Sequence, residues 1–252
     1  MSAPTAEDYR TSIATDAERI AALTDANPGA SVPSCPGWDM ARLAGHVGRV
    51  HRMTIGVLTN PVDGFPDPST MDKPPADPAL SAAFLRTGAM TLDALLANRD
   101  TDSPCWNFLN QPAVARFWFR RQCHETAVHR FDAELGFDPL ATPTTSAALA
   151  VDGVDEYFVF VAERLLAARG MASLGGSLHL HATDTPGEWM VTLTDGVLSV
   201  AHGHGKGDAA IRGTARDLFL GLWGRLDLVG DARYERFGSA QVIAALRALG
   251  GT

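Results

Sequence analysis

Lysine is almost missing from this sequence: Lys73 and Lys206 are the only two in 252 residues. Acidic side chains outnumber Lys plus Arg by 29 to 21, leaving a net charge of −8, and no basic run stands out. Sequence-independent binding to nucleic acid needs clustered cations to neutralise phosphates, so no nucleic-acid partner is expected. Cysteine is scarce too. Cys35, Cys105 and Cys123 are odd in number and unrelated in spacing, which excludes a disulfide framework and fits reduced thiols in a cytoplasmic protein. Residues 1–10 lack the basic and apolar regions of a secretory signal, and nowhere do about 20 apolar residues run together, so no membrane partner is expected. Internal repeats and low-complexity segments are missing as well.

What is there is an ordinary globular composition, 46% hydrophobic and 20% charged, in a chain long enough for one large domain or two modest ones. Tyr9, Ile13, Ile20 and Leu23 predict a helix over 7–26 that ends at Asn27-Pro28-Gly29. A proline-framed loop, Val32 to Trp38, follows. Asp39 is a good N-cap for a second helix from Met40 to about Thr59. Its inner stripe is Leu43, Val47, Val50, Thr54 and Val57, and His46 and His51 flank that stripe on opposite sides. The loop from Asn60 to Pro78 leads to a third helix over 79–98. A second loop, 100–112, carries Trp106 and Phe108, expected to pack over one end of the helices. The fourth helix lies in the Gly- and Pro-free run 113–135. Four helices of about 20 residues predict an antiparallel four-helix bundle, and such bundles build metal sites from side chains on facing helices.

After residues 137–143 the composition shifts. One long helix is expected over 144–169. Beyond Gly170 the period becomes alternating: Leu178, Leu180 and Ala182 oppose His179 and His181, and Trp189, Val191 and Leu193 alternate likewise. Asp195-Gly196 is a hairpin turn signal leading to Leu198 and Val200. Residues 209–212 are expected as an edge strand, Thr214 as the cap of a helix through Trp223, and Ser239 as the cap of a last helix through Leu249. The fold class is therefore α+β in two domains, 1–143 a helical bundle and 144–252 a small antiparallel sheet with helices on one face.

The chemistry is carried by the fourth helix. Glu125 and His129, four residues apart, lie about 40° apart on one face and can hold one ion, whereas His124 is about 140° from His129. This is E-x-x-x-H, not the H-E-x-x-H of zinc proteases. Two donors are half a site. A catalytic zinc commonly takes three protein ligands and keeps one position open, and the second helix offers His46 or His51. Periodicity does not choose between them. The plain alternative pairs Glu125 with Arg121 or Arg130 and leaves the histidines as surface or capping residues.

The segments Cys35-Pro36-Gly37-Trp38, then Leu43-Ala44-Gly45-His46-Val47-Gly48-Arg49-Val50-His51, then His124-Glu125-Thr126-Ala127-Val128-His129-Arg130-Phe131-Asp132-Ala133-Glu134 resemble the mycothiol-dependent maleylpyruvate isomerase family, within the DinB-like metal-binding bundles. A looser likeness continues through Ala215-Arg216-Asp217-Leu218 and Leu222-Trp223-Gly224-Arg225. The resemblance implies His46, Glu125 and His129 as ligands of a divalent metal, zinc in the first instance. It also implies mycothiol as thiol co-substrate, activated as a metal-bound thiolate. The acceptor would be an electrophilic small molecule, in a maleylpyruvate-type cis–trans isomerisation or an S-transfer.

Two other functions fit the same residues: a metal-dependent hydrolase with water in the open position, and a non-catalytic small-molecule-binding protein with a structural metal. Asp132 and Arg121 share the metal-facing stripe and are candidates to orient the ligands. Arg49, Arg52 and Arg225 are candidates to clamp a carboxylate. Cys123 reads as packing and His202-Gly203-His204-Gly205 as a flexible loop. Monomer and homodimer are both compatible with the sequence.

Overall fold

A computed structural model of the chain describes residues 3–61, 64–109 and 113–245. They fall into two compact units: residues 5–142, and residues 143 onward together with Ala3 and Pro4.

The first unit is four helices, α1 (Ala6–Ala26), α2 (Met40–Thr59), α3 (Ser81–Ala97) and α4 (Arg116–Leu135). The first three starts have local causes. Thr5 and Asp8 exchange hydrogen bonds as a capping box on α1, and Asp39 Oδ1 accepts from Arg42 N at 2.8 Å to cap α2. A 3-10 turn, Pro78–Leu80, leads into α3 with Asp77 Oδ1 accepting from Ala79 N. One stripe of each helix meets in a core that includes Ile20, Leu43, Val47, Leu85 and Ala133.

Side-chain pairings fix the helix directions. Arg10 meets Asp93 and Arg86 meets Glu18, so α1 and α3 are antiparallel. Arg130 meets Asp16 and Arg19 meets Glu134, so α1 and α4 are parallel. Arg52 reaches Phe84 O and Arg99 reaches Leu58 O, so α2 and α3 are parallel. The order is up-down-down-up, which corrects the simple antiparallel alternation expected from the sequence. A parallel neighbour requires the chain to return the length of a 20-residue helix, about 30 Å, and the connection from Asn60 to Leu80 makes that return.

The segment Pro78–Ala97 has the length and mean hydropathy of a membrane span, although Ser81, Arg86, Thr87, Thr91 and Asp93 interrupt its apolar residues. In the bundle it packs against α1 and α2. Trp106 and Phe108 lie among Phe65, Phe117 and Trp118 in one aromatic cluster.

The second unit opens with α5 (Ala147–Glu156), a π-helical turn (Tyr157–Ala162) and α6 (Glu163–Arg169). The long helix expected over 144–169 thus starts later, where Ser146 Oγ accepts from Leu149 N, and is widened in the middle. The aromatic and β-branched run 157–161 crowds an α-helical turn, and the wider turn buries both Tyr157 and Phe158.

The sheet has five strands, β1 (Leu178–Ala182), β2 (Glu188–Thr194), β3 (Val197–His202), β4 (Ala209–Gly213) and β5 (Glu235–Gly238), in the order β3-β2-β1-β4-β5. It is mixed: β1 and β4 pair in parallel, the other pairs antiparallel. The expected wholly antiparallel sheet is corrected at that one pairing, because β4 enters beside β1 only after the β2–β3 hairpin has been completed. For the same reason residues 209–212 are interior, not an edge. The outer strand β5 carries no alternating apolar pattern that a sequence reading could use. In the hairpin, Asp195 and Gly196 both have positive φ, 52° and 78°, the geometry that suits a two-residue turn to twisted strands. Helix α7 (Ala215–Leu222) packs on β1 and β4 and against α5. Helix α8 runs Ala240–Ala245; the expected end at Leu249 lies outside the described residues.

The α2–α3 contact is tight at Gly48, where a Cβ would come within 2.7 Å of Phe84 Cδ1 and 3.3 Å of Leu85 Cα. Gly48→Val is expected to destabilise the bundle by about 2 kcal/mol through overpacking. A melting curve checks this. An unchanged transition would mean the two helices are not so closely apposed.

Candidate metal centre

The site is built where α2 and α4 face each other. The chain from Ala30 to Asp39 closes on itself through Val32 N to Trp38 O, Cys35 N to Val32 O and Trp38 N to Cys35 O. Gly37 supplies the left-handed residue this tight loop needs, φ 79°. The loop places Trp38 over both imidazoles, its ring centroid 5.0 Å from His46 and, nearly stacked, 6.3 Å from His129.

Glu125 sits at the centre. Its Oε1 lies 3.3 Å from His46 Nε2 and 3.3 Å from His129 Nε2. Its Oε2 accepts from Arg121 Nη2 at 3.0 Å, one helical turn away. His129 Nδ1 faces Asp132 Oδ2 at 2.9 Å, which turns its other nitrogen toward Glu125. The Cys35 thiol donates to the same Asp132 oxygen at 3.5 Å.

The electrostatics follow from this crowding. Burial is the largest influence on Glu125 and would raise its pKa. The hydrogen bonds to His129 and His46, with the charges of His129 and Arg121, outweigh it and hold the carboxyl well below its ordinary range. For His129 burial would lower the pKa. Bonds to Asp132, Cys35 and Glu125, and the Glu125 charge, lift it well above the usual value instead. The carboxylates and His129 thus answer one another's charge within the buried pocket.

A divalent ion fits. Donors at about 2.0–2.2 Å from a tetrahedral zinc-type ion stand roughly 3.4 Å apart, and the two spacings at Glu125 are 3.3 Å. Ligand atoms of His46, Glu125 and His129 all lie within 4.8 Å of one another. His129–Asp132 has the form of a ligating histidine oriented by a carboxylate.

His51, the other option on α2, is buried and pairs with Thr126 Oγ1 at 3.1 Å, outside this group. His124 is buried against the Tyr9 ring. The plain alternative for Glu125 is half present, since Arg121 binds it, but Arg130 turns to Asp16 and Glu134. Arg52 stacks on Phe84 and binds two carbonyls, which makes it a strut between α2 and α3. Arg225 Nη1 donates to Trp223 O. Cys123 is fully buried in packing. Sequence reasoning missed Trp38 and Cys35 as neighbours of the site; the Cys-Pro-Gly-Trp motif marked the loop but not where it points.

Two family models match the chain: the mycothiol maleylpyruvate isomerase N-terminal domain over residues 9–134, and the MDMPI C-terminal domain over residues 148–245. Among solved structures, the crystal structure of a mycothiol-dependent maleylpyruvate isomerase is similar at TM-score 0.62 and 12% identity, over 94% of this chain and 95% of that one. A histidine-to-alanine mutant of that enzyme matches with the same score and identity over 90% and 93%. At such identity the likeness is one of fold. No curated protein matches the sequence.

Burial pushes the His51 pKa down to about 4 from an ordinary 6.5, ahead of a raising influence from Glu125. Above its ordinary value His51 is neutral both folded and unfolded. As pH falls below it the unfolded chain takes up the proton first, so stability is lost on acidification. His51→Gln should abolish roughly 2 kcal/mol of the stability lost between about pH 7.5 and about pH 5. Denaturant titrations at the two pH values check this, and equal losses in both proteins would contradict it.

Proposed function

The chain belongs to the mycothiol maleylpyruvate isomerase family, and we propose that it is an enzyme using a divalent metal ion, zinc in the first instance, to activate mycothiol toward an electrophilic small molecule. Its parts are read as domains 1–143, carrying the metal, and 144–252. The observation that supports this reading is the meeting of His46, Glu125 and His129 at tetrahedral donor spacing. A divalent ion held by three protein ligands supplies positive charge at an open position, where it favours thiolate over thiol.

The chain's own residues do the rest. Arg121 fixes one Glu125 oxygen, leaving the other to face the ion that the site would hold. Asp132 at Nδ1 orients the His129 ring, turning Nε2 toward the position the ion would take. Trp38 packs against both rings. The reactive sulfur belongs to the co-substrate, since thiolate is the nucleophilic form. Addition to a cis double bond makes a single bond that rotates before the thiolate leaves, giving the trans isomer and returning the thiol. If the sulfur stays attached, the same site performs S-transfer. Three cysteines outside any disulfide agree with the reducing cytoplasm in which a small thiol is available.

Turnover of maleylpyruvate or another electrophile is expected to require mycothiol and to fall at least about 100-fold in His46→Ala, with loss of bound metal. Mass spectrometry of product mixtures distinguishes an isomer from an S-conjugate, and equal turnover without any thiol would contradict the reading. Asp132→Asn should weaken metal binding by about 10–100-fold, measured against a chelating dye; unchanged affinity would remove Asp132 from the site.

A further inference from the structure

Three of the eight histidines converge elsewhere, on the sheet of the second unit. In β1, His179 and His181 share one face by alternation. In β2, Glu188 stands directly opposite His181 in the strand register. The chain leaving β3 then brings back His204. Glu188 Oε2 lies 2.8 Å from His179 Nε2, 2.8 Å from His204 Nδ1 and 3.8 Å from His181 Nδ1. Ligand atoms of all four residues fall within 4.8 Å of one another.

The connection that carries His204, expected as a flexible loop from its glycines, runs close to the sheet. Gly203 N donates to Glu188 O at 3.0 Å, and Gly203 has φ 115°, which side-chain-bearing residues rarely adopt. A Cβ on Gly205 would meet Met190 Cγ at 2.9 Å, and one on Gly207 would meet Ala209 O at 2.7 Å. Gly205 and Gly207 let the loop run close to β2 and to the first residues of β1 and β4. His202, one place before Gly203, points to the opposite face of the sheet, 3.5 Å from Asp155, so the two histidines of the tract have separate surroundings.

We propose that His179, His181, Glu188 and His204 form a second metal site, for a divalent first-row transition ion of the zinc type. Three imidazoles and one carboxylate are the donor chemistry such ions select, where calcium and magnesium prefer oxygen alone. Four protein donors complete a tetrahedron, so this site is closed and structural, in contrast to a three-ligand site with a vacancy. The spacings from Glu188, 2.8 Å and 3.8 Å, bracket the tetrahedral value of roughly 3.4 Å. Arg212, in register with His181 on β4, is drawn to Glu235 at 3.1 Å, which offsets its positive charge beside the site. The ion would tie the β3–β4 connection to β1 and β2 and stabilise the second unit.

The test uses the full chain, stripped with a chelator and dialysed against Zn(II) alone, with bound zinc counted by mass spectrometry. Wild type is expected to hold two zinc ions per chain. His46→Ala and His204→Ala should each hold one, and the double variant none. The His204 side chain is 79% exposed, so its removal leaves the sheet intact, and His181→Ala gives a second, independent reading. Zinc should also raise the melting temperature of His46→Ala but not of His46→Ala/His204→Ala. If His204→Ala and His181→Ala bind as much zinc as wild type, with the same affinity, the second site does not exist. If His46→Ala matches wild type while His204→Ala loses its zinc, the second site stands and the metal of the proposed catalytic centre is lost.

Discussion

A carboxylate inside a helical bundle costs several kcal/mol unless its charge is answered on the spot. Glu125 is answered on both oxygens, by Arg121 on one and by two imidazoles on the other. The rest of the first unit can be understood from that constraint. Helices α2 and α4 must face each other with His46 and Glu125 level, and the loop before α2 must close tightly enough to lay Trp38 over both rings. Asp132 must answer the far side of His129. The close approach of α2 to α3 at Gly48 and the ion pairs joining α1 to α3 and α4 hold this geometry from behind.

Much of this was legible in the sequence. Four segments of helical periodicity, one of them capped by Asp39, predict four helices, and the four-residue spacing of Glu125 and His129 puts two donors on one face. The choice of His46 over His51 was not legible from spacing, since both flank the same stripe. What separates them is the rotation of α2 about its own axis, which α3 sets by packing through Gly48 and Phe84. The family resemblance pointed to His46, and the packing places it beside Glu125. Helix direction was equally invisible, because periodicity carries no sign; only partners such as Arg86 and Glu18 reveal it.

In the second unit the alternation in β1 and β2 and the Asp-Gly turn were readable for the same reason the helices were: each is a local pattern. The parallel β1–β4 pairing and the outer strand β5 are not local. Neither was the cluster at Glu188, whose four donors come from three segments up to 25 positions apart. The tract 202–205 looked like a loop because it is rich in glycine, yet its two glycines have particular causes: Gly203 has a positive φ and Gly205 lies where a Cβ would meet Met190. The two units thus carry contrasting arrangements. One gathers three donors under an aromatic cover, and the other surrounds its centre with four.

The central claim is geometric, and a crystal of the zinc-loaded protein tests it most directly. Anomalous scattering at the zinc edge should give a peak about 2.0–2.2 Å from His46 Nε2, a Glu125 oxygen and His129 Nε2. A zinc-loaded crystal with no peak among those three atoms would contradict it.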